Sequence, residues 1–181
     1  KNIKGSIIKE NNYFSVYERR EEIENLDILP LPDFTNFNLG LYERFALPIM
    51  TSRGCVGHCA FCGEIVYWKN FRFRSAENIF RELKRDFDSY GIKNFFFNDS
   101  LINGNLKELS NLVDLIIRNK LEINWGGYAR VNKGMAPELF RKLKKAGCSY
   151  LSYGIESGSQ KVVNSMNKGF ILRNAKENLK D

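Results

Sequence analysis

The sequence predicts an α/β protein built on a parallel sheet, and three observations carry that expectation. From Pro48 onward, short apolar runs alternate with longer segments whose apolar residues recur every three or four positions. Successive runs are separated by a helix length and not by a tight turn, which is the spacing of parallel strands joined by right-handed crossovers. The helical segments also carry their own start and stop residues.

The elements follow in order. Residues 5–20, "GSIIKENNYFSVYERR", place an Asn-Asn pair between two apolar and aromatic runs, the pattern of a short hairpin. Residues 27–48, "DILPLPDFTNFNLGLYERFALP", hold three of the four prolines without sustained periodicity and are expected to form an irregular linker with a helical turn. A first strand, "PIMTS" (48–52), runs straight into a cysteine-rich loop. "SAENIFRELKRDFDSYG" (75–91) is expected to be a helix with Ser75 as N-cap, Ile79, Phe80, Leu83 and Phe87 on one face, and Gly91 as its stop.

"KNFFFND" (93–99) reads as a buried second strand. The helix "NLKELSNLVDLIIRN" (105–119) repeats apolar residues at Leu106, Leu109, Val113, Ile116 and Ile117. "EINWGGYAR" (122–130) is the third strand, and a helix with Pro137 in its first turn ends at Gly147. "CSYLSYGIESG" (148–158) is the fourth strand, and a last helix starts near Ser159. The chain opens on Lys1 and its final segment, "RNAKENLKD", still has a helical pattern, so it reads as a piece of a longer protein.

Composition excludes some classes. With 43% hydrophobic and 13% aromatic residues in 181, the chain is long enough to bury a core. No apolar run reaches the roughly 18 residues of a membrane span. The net charge of +7 is spread over scattered lysines, and the densest basic segment, "RKLKKAG" (141–147), alternates with apolar residues as a solvated helix face does. No arginine-rich tract or aromatic-basic interleaving appears, which argues against a nucleic-acid partner. Four cysteines, three of them crowded together, are the usage of a reducing compartment and point to the cytoplasm.

Those three, Cys55, Cys59 and Cys62, lie in "TSRGCVGHCAFCGE" (51–64). An odd number does not make a disulfide framework, and three thiolates leave a closed zinc site one ligand short. Either His58 completes a zinc site, in a module that turns its basic surface to nucleic acid, or the metal group keeps a position open. No Gly-x-Gly-x-x-Gly and no phosphate loop is present. Ligands of parallel strand-helix arrays sit at the carboxyl ends of the strands. Here those ends are the cysteine loop, "NDS" (98–100), "GYAR" (127–130) and "IESG" (155–158).

With Cys-x-x-x-Cys-x-x-Cys after the first strand and Phe61 just before the last cysteine, the sequence resembles the radical SAM superfamily. "LPLPDF" (29–34), "LPIMTSRGCVGHCAFC" (47–62) and "GIESGSQKVVNSMNKG" (154–169) together resemble the branch whose members carry an N-terminal cobalamin-binding domain. The likeness covers nearly the whole chain. It implies a partial TIM-type (β/α) barrel truncated to about four β/α units. Residues 1–47 would be the connector after a missing cobalamin-binding domain, and residues 48–181 the N-terminal part of the radical SAM core.

The resemblance implies that Cys55, Cys59 and Cys62 each ligate one iron of a [4Fe-4S] cluster whose remaining iron binds S-adenosylmethionine. An electron, delivered by a donor such as flavodoxin or ferredoxin, splits the sulfonium and yields a 5'-deoxyadenosyl radical that attacks a small-molecule or biosynthetic substrate. Cobalamin, held by a domain not in this chain, is a further cofactor the branch allows. Methylation, ring formation and methylthiolation of a tRNA base or ribosomal protein all remain open. On this reading the backbone of Phe61 lies against adenine. Asp99 and Ser100 either accept from the cofactor's ammonium or form a turn. Glu156 and Ser157 meet a ribose hydroxyl or the methionine amino group. Arg130 pairs with the methionine carboxylate, or with Glu156 as an internal salt bridge. Gly126 and Gly127 admit either a bulky ligand or a bulge. Cys148, at the opposite end of its strand, is expected to be a buried thiol.

Overall fold

The structure is a computed structural model and describes residues 3–41 and 46–179. The hairpin forms as β1 (Ile7–Glu10) and β2 (Tyr13–Val16), with Ile7 opposite Val16. Asn11 takes the left-handed conformation (φ 52°) that its short side chain tolerates in a turn. This pair is a sheet by itself, and Tyr13 and Phe14 stay exposed. The linker carries two 3-10 turns, Leu26–Ile28 and Leu39–Leu41; its residues 42–45 lie outside the described residues.

The regular part comprises β3 (Leu47–Ile49), β4 (Ser52–Arg53), α1 (Glu64–Tyr67), β5 (Arg72–Phe73), α2 (Ala76–Tyr90), β6 (Asn94–Phe97), α3 (Leu106–Arg118), β7 (Asn124–Ala129), α4 (Pro137–Lys145), β8 (Cys148–Tyr153), α5 (Gln160–Ser165) and α6 (Leu172–Asn178). The main sheet runs β3-β6-β7-β8, with every neighbour parallel. Each strand is added beside its predecessor without reversal. A doubly wound sheet turns back at a switch point, whereas a one-way order is that of a barrel wall. The fold is therefore the four-unit portion of a partial TIM-type barrel. Among the described residues, no helix is long and apolar enough to cross a membrane.

Helices cover one face of this wall. Leu47, Ile49, Phe95, Phe97 and Trp125 pack there against Ile79 and Leu83 of α2, Leu112 and Ile116 of α3 and Leu143 of α4. Trp125 stacks on Phe97 at 4.6 Å, and its Nε1 donates to the Ala146 carbonyl at 2.8 Å. Burial of side chains of this size is worth about 1.5–3 kcal/mol each. The strand alternation sends Phe96, Tyr128 and Tyr150 to the other face, where both tyrosines are half exposed. "KNFFFND" is thus buried at Phe95 and Phe97 but not throughout, because helices pack only on the outer face of the wall.

Three further expectations are refined or corrected. On α2, Ser75 caps as expected by accepting from Asn78 N, Gly91 (φ 68°) ends the helix, and Ile79, Phe80, Leu83 and Phe87 all join one core, the two phenylalanines partly buried. Asn78, Glu82 and Asp86 are buried as well, Asn78 and Glu82 where α2 meets the linker and Arg74. Arg74 reaches Glu82 at 2.5 Å, and Asn78 Nδ2 donates to the Asp27 carbonyl at 3.3 Å. Of the two readings of the paired glycines, the register gives the bulge. A Cβ on Gly126 would meet the Tyr150 ring, one on Gly127 would meet the Phe97 carbonyl at 2.9 Å, and the β7–β8 register slips between Trp125 and Gly126. The last helix is two helices, broken by a turn in which Asn167 (φ 53°) and Gly169 (φ 68°) are left-handed.

Candidate functional site

The cysteine loop is closed at its base. β4 pairs with β5, Ser52 opposite Phe73 and Arg53 opposite Arg72. The Arg53 and Arg72 guanidinium groups both meet the Trp68 ring, 5.5 and 5.4 Å from its centroid. Gly54 (φ 83°) starts the loop, and a Cβ there would strike the Asn70 carbonyl at 2.8 Å. Within the loop, Cys62 N donates to the Cys59 carbonyl at 3.1 Å, and Gly57 N points to Cys55 Sγ at 3.3 Å. Cys59 is buried, Cys55 and Cys62 are partly so, and all are free thiols. Burial pushes the Cys55 thiol pKa up, with the Gly57 N–H and Arg130 pulling it down.

Asp99 anchors the strand that feeds this loop. Its carboxylate is 4% exposed and accepts from Thr51 N (2.9 Å), Thr51 Oγ1 (3.0 Å), Ser52 N (2.5 Å) and Ser52 Oγ (2.9 Å). Burial nevertheless raises its pKa to about 6, the hydrogen bonds opposing that rise. Arg130, just past β7, is fixed through its backbone by Asn103: Arg130 N donates to Asn103 Oδ1 at 2.9 Å and Asn103 Nδ2 to the Arg130 carbonyl at 2.7 Å. Its guanidinium lies against Gly57, and Nη1 approaches Cys59 Sγ at 3.7 Å.

A cavity of about 200 Å³ opens at the carboxyl ends of the strands. Cys55, Cys59, Phe61 and Cys62 of the cysteine loop, Ser100, Tyr128, Arg130 and Ser152 of the strand ends, and Glu156 and Lys168 from beyond β8 line it. Of the sequence candidates, the structure brings the three cysteines, Phe61, Ser100, Arg130 and Glu156 together here. Asp99 is not in the wall, its carboxylate being turned to Thr51 and Ser52, and Ser157 is not either, its hydroxyl accepting from Ser159 N at 3.1 Å. Glu156 does not pair with Arg130. It adopts a left-handed backbone (φ 66°), and Lys168 Nζ meets its Oε1 at 3.2 Å. Ser100 Oγ donates to Glu64 of α1 at 2.5 Å.

Lys168, Glu64, Tyr128 and Ser152 were not among the sequence candidates. Tyr128 and Ser152 lie on the strand face opposite the helices, which the alternation within "NWGGYA" and "CSYLSY" encodes once the buried face is known. Lys168 falls within the stretch 154–169 that carries the resemblance, but only its approach to Glu156 in the folded chain marks it as part of the cavity. A larger cleft of about 560 Å³ shares Arg130 as a wall but contains no cysteine. The His58 side chain does not line the thiol cavity. Three soft thiol donors on one cavity, beside a fixed guanidinium, are the donor set of an iron–sulfur cluster with an open ligand position.

The chain matches the model of the radical SAM superfamily over residues 49–181. It belongs to that superfamily. An uncharacterized methyltransferase of Pyrococcus horikoshii is 31% identical over 173 residues, covering 93% of this chain and 38% of the relative. Bacteriochlorophyllide d C-12(1)-methyltransferase of Chlorobaculum tepidum is 31% identical over 161 residues, covering 86% of this chain and 35% of the relative. In fold, the chain is similar to the cobalamin-dependent S-adenosylmethionine radical enzyme OxsB, solved with aqua-cobalamin and S-adenosylmethionine bound. The TM-score is 0.74 at 20% identity, covering 96% of this chain and 27% of OxsB. The chain thus spans 27% to 38% of the length of these proteins.

Proposed function

We propose that the protein is an enzyme that reductively cleaves S-adenosylmethionine, with Cys55, Cys59 and Cys62 as the ligands of a [4Fe-4S] cluster. The observation that carries this reading is that three cysteine thiols, Arg130 and Glu156 line one cavity at the strand ends. When bound, the cluster supplies the electron that splits the sulfonium and so a 5'-deoxyadenosyl radical for C–H activation. The chain's own residues bind and orient. Arg130 sets positive charge beside Cys59 and, lining the same cavity, would pair with the methionine carboxylate. Glu156 and Ser100 offer oxygen atoms to its amino group and ribose. Phe61, 59% exposed at the rim, offers an apolar edge to adenine. Asp99 acts from behind by holding Thr51 and Ser52, and Ser157 shapes the turn into α5.

Relatives named as methyltransferases support methyl transfer to a small molecule as the reaction class. Fold likeness to a cobalamin-dependent enzyme supports cobalamin as a second cofactor, held by residues other than these 181, with residues 1–47 as the connector to them. The electron would come from a flavodoxin or ferredoxin in a reducing cytoplasm, in keeping with four free cysteines.

The test is anaerobic reconstitution with iron and sulfide, then assay of bound iron, acid-labile sulfide and 5'-deoxyadenosine under dithionite. Iron with sulfide and cofactor cleavage are expected. Stoichiometric zinc without sulfide would overturn the reading, and a methylthiolated product would move the reaction class while leaving the cluster chemistry in place.

A further inference from the structure

We propose that the larger cleft, which shares Arg130 with the thiol cavity, is the docking surface for the electron donor, a small acidic protein carrying a flavin or an iron–sulfur group. The proposal rests on the function proposed above and gives it a partner surface. The cleft measures about 560 Å³, and its polar lining is Arg130, Lys133 and three asparagines, Asn132, Asn164 and Asn174. Val56 and Ile171 add exposed apolar surface to it. Two features set the cleft beside the thiols. Val56 follows Cys55 directly in the chain. Arg130 Nη1 lies 3.7 Å from Cys59 Sγ, while Nη2 lies 3.1 Å from the place a Cβ on Gly169 would take. One guanidinium therefore borders both a thiol and the cleft. The thiol cavity has to hold S-adenosylmethionine, so an electron has to enter from another side, and this cleft is open surface one side chain away.

The charge of this surface has one sign. Among the described residues, the cleft is lined by no carboxylate. Its walls come from two stretches, 130–137 and 157–176, and neither contains an aspartate or glutamate, while together they hold Arg130, Lys133, Lys161, Lys168, Arg173 and Lys176. Lys168 is paired with Glu156 and Arg173 with Glu177. Lys133 and Lys161 are exposed and, among the described residues, join no ion pair. Lys161 stands three residues before Asn164 on α5, so both lie on one face of that helix. Lys161 is outside the lining itself, so the positive charge extends past what a small anion in the cleft would touch. A wet, basic surface of this kind suits a transient redox encounter, which buries less than about 1,200 Å² and owes its speed to opposite charge. One electron passes from the reduced donor to the oxidised cluster, with no bond made or broken and no proton moved.

The experiment uses the reconstituted protein, a purified flavodoxin as the donor, and the variants Lys133→Glu, Lys161→Glu and their double. Lys145→Glu, at the end of α4 that leads into β8, is the control for net charge. Carbodiimide coupling, which joins lysines to carboxylates in contact with them, is read by peptide mass spectrometry. Stopped-flow spectroscopy then follows reduction of the cluster by flavodoxin and, separately, by dithionite. Cross-links from Lys133 or Lys161 to flavodoxin carboxylates are expected. The double variant should be reduced by flavodoxin about tenfold more slowly at low ionic strength, with the gap closing at high salt, and by dithionite at the unaltered rate. Lys145→Glu should slow flavodoxin by less than about twofold. Cross-links confined to other lysines overturn the proposal, as does an unchanged flavodoxin rate in the double variant. Equal slowing by Lys145→Glu overturns it in favour of net charge alone, and equal slowing with dithionite in favour of damage to the cluster site. Protection of Lys133 from coupling by inorganic phosphate, with the flavodoxin rate unchanged, would make the cleft a small-anion site instead. Absence of a cluster from the unaltered protein would defeat the functional reading itself, on which the cross-linking arm does not depend.

Discussion

The Arg130 guanidinium lies against Gly57 and brings Nη1 to 3.7 Å from Cys59 Sγ, so a positive charge from the end of β7 is fixed beside one of the thiols proposed to hold the cluster. Only a residue without a Cβ leaves room for it at position 57. Net charge and hydrogen bonds to the sulfurs set the potential of an iron–sulfur cluster. Arg130→Gln is therefore expected to retain iron and to shift the cluster's reduction potential negative. A contact worth about 1.4 kcal/mol corresponds to about 60 mV for a one-electron couple. An EPR-monitored redox titration reads the shift, and an unchanged potential would leave Arg130 to the cofactor carboxylate alone.

The four thiols divide by position. Cys55, Cys59 and Cys62 line the cavity, whereas Cys148 begins β8 at the other end of the sheet. Burial pushes the Cys148 thiol pKa up to about 12, so it is protonated and inert near neutral pH. Alanine at any of the first three should abolish iron binding after reconstitution, and Cys148→Ala should leave it intact. Iron and sulfide analysis of the four variants decides this, and equal loss from Cys148→Ala would reject the ligand assignment.

Asp99 gives the protein a pH dependence of definite sign. Its folded-state pKa is raised from 3.8 to about 6, chiefly by burial, so between these values the folded protein holds a proton that the unfolded chain has released. Stability from this group is thus greatest below about pH 4 and falls as pH rises toward 6, by about 3 kcal/mol in order of magnitude. Denaturant midpoints of the protein should carry this component on top of those of other groups, and Asp99→Asn should lack it. Asp99→Ala, which strands the Thr51 and Ser52 donors, should cost about 1–3 kcal/mol and lower the iron bound by the loop they feed.

The two glycines of β7 should respond unequally to alanine. At Gly127 the new methyl meets the Phe97 carbonyl at 2.9 Å, part of the β6 backbone, and β6 cannot move without breaking its ladder. At Gly126 it meets the Tyr150 ring, half exposed and free to rotate away. Thermal unfolding should show Gly127→Ala destabilised by about 1–3 kcal/mol and Gly126→Ala by less. The reverse order would mean that the bulge beside Gly126 is the stiffer part.

What the sequence by itself determined was local. Hydrophobic spacing marked the alternating strands and helices, because a helix or strand must bury one face whatever lies beyond it. Ser75 and Gly91 marked the ends of α2, because capping is decided within a few residues. The cysteine spacing marked the loop proposed to hold the cluster and, through its resemblance, the family, because the three cysteines lie close together in the chain. The tertiary structure decided what depends on approach between distant segments. It turned Asp99 inward to Thr51 and Ser52, gave Arg130 to the cysteine loop and not to Glu156, and filled the space above Gly126 with Tyr150. It also broke the last helix at Asn167 and brought Lys168 to Glu156 and Phe61. A lysine carries no mark in sequence of whether it will be solvated or buried; the choice is made where its ammonium finds a carboxylate and a ring face, and only the closed chain places those beside it.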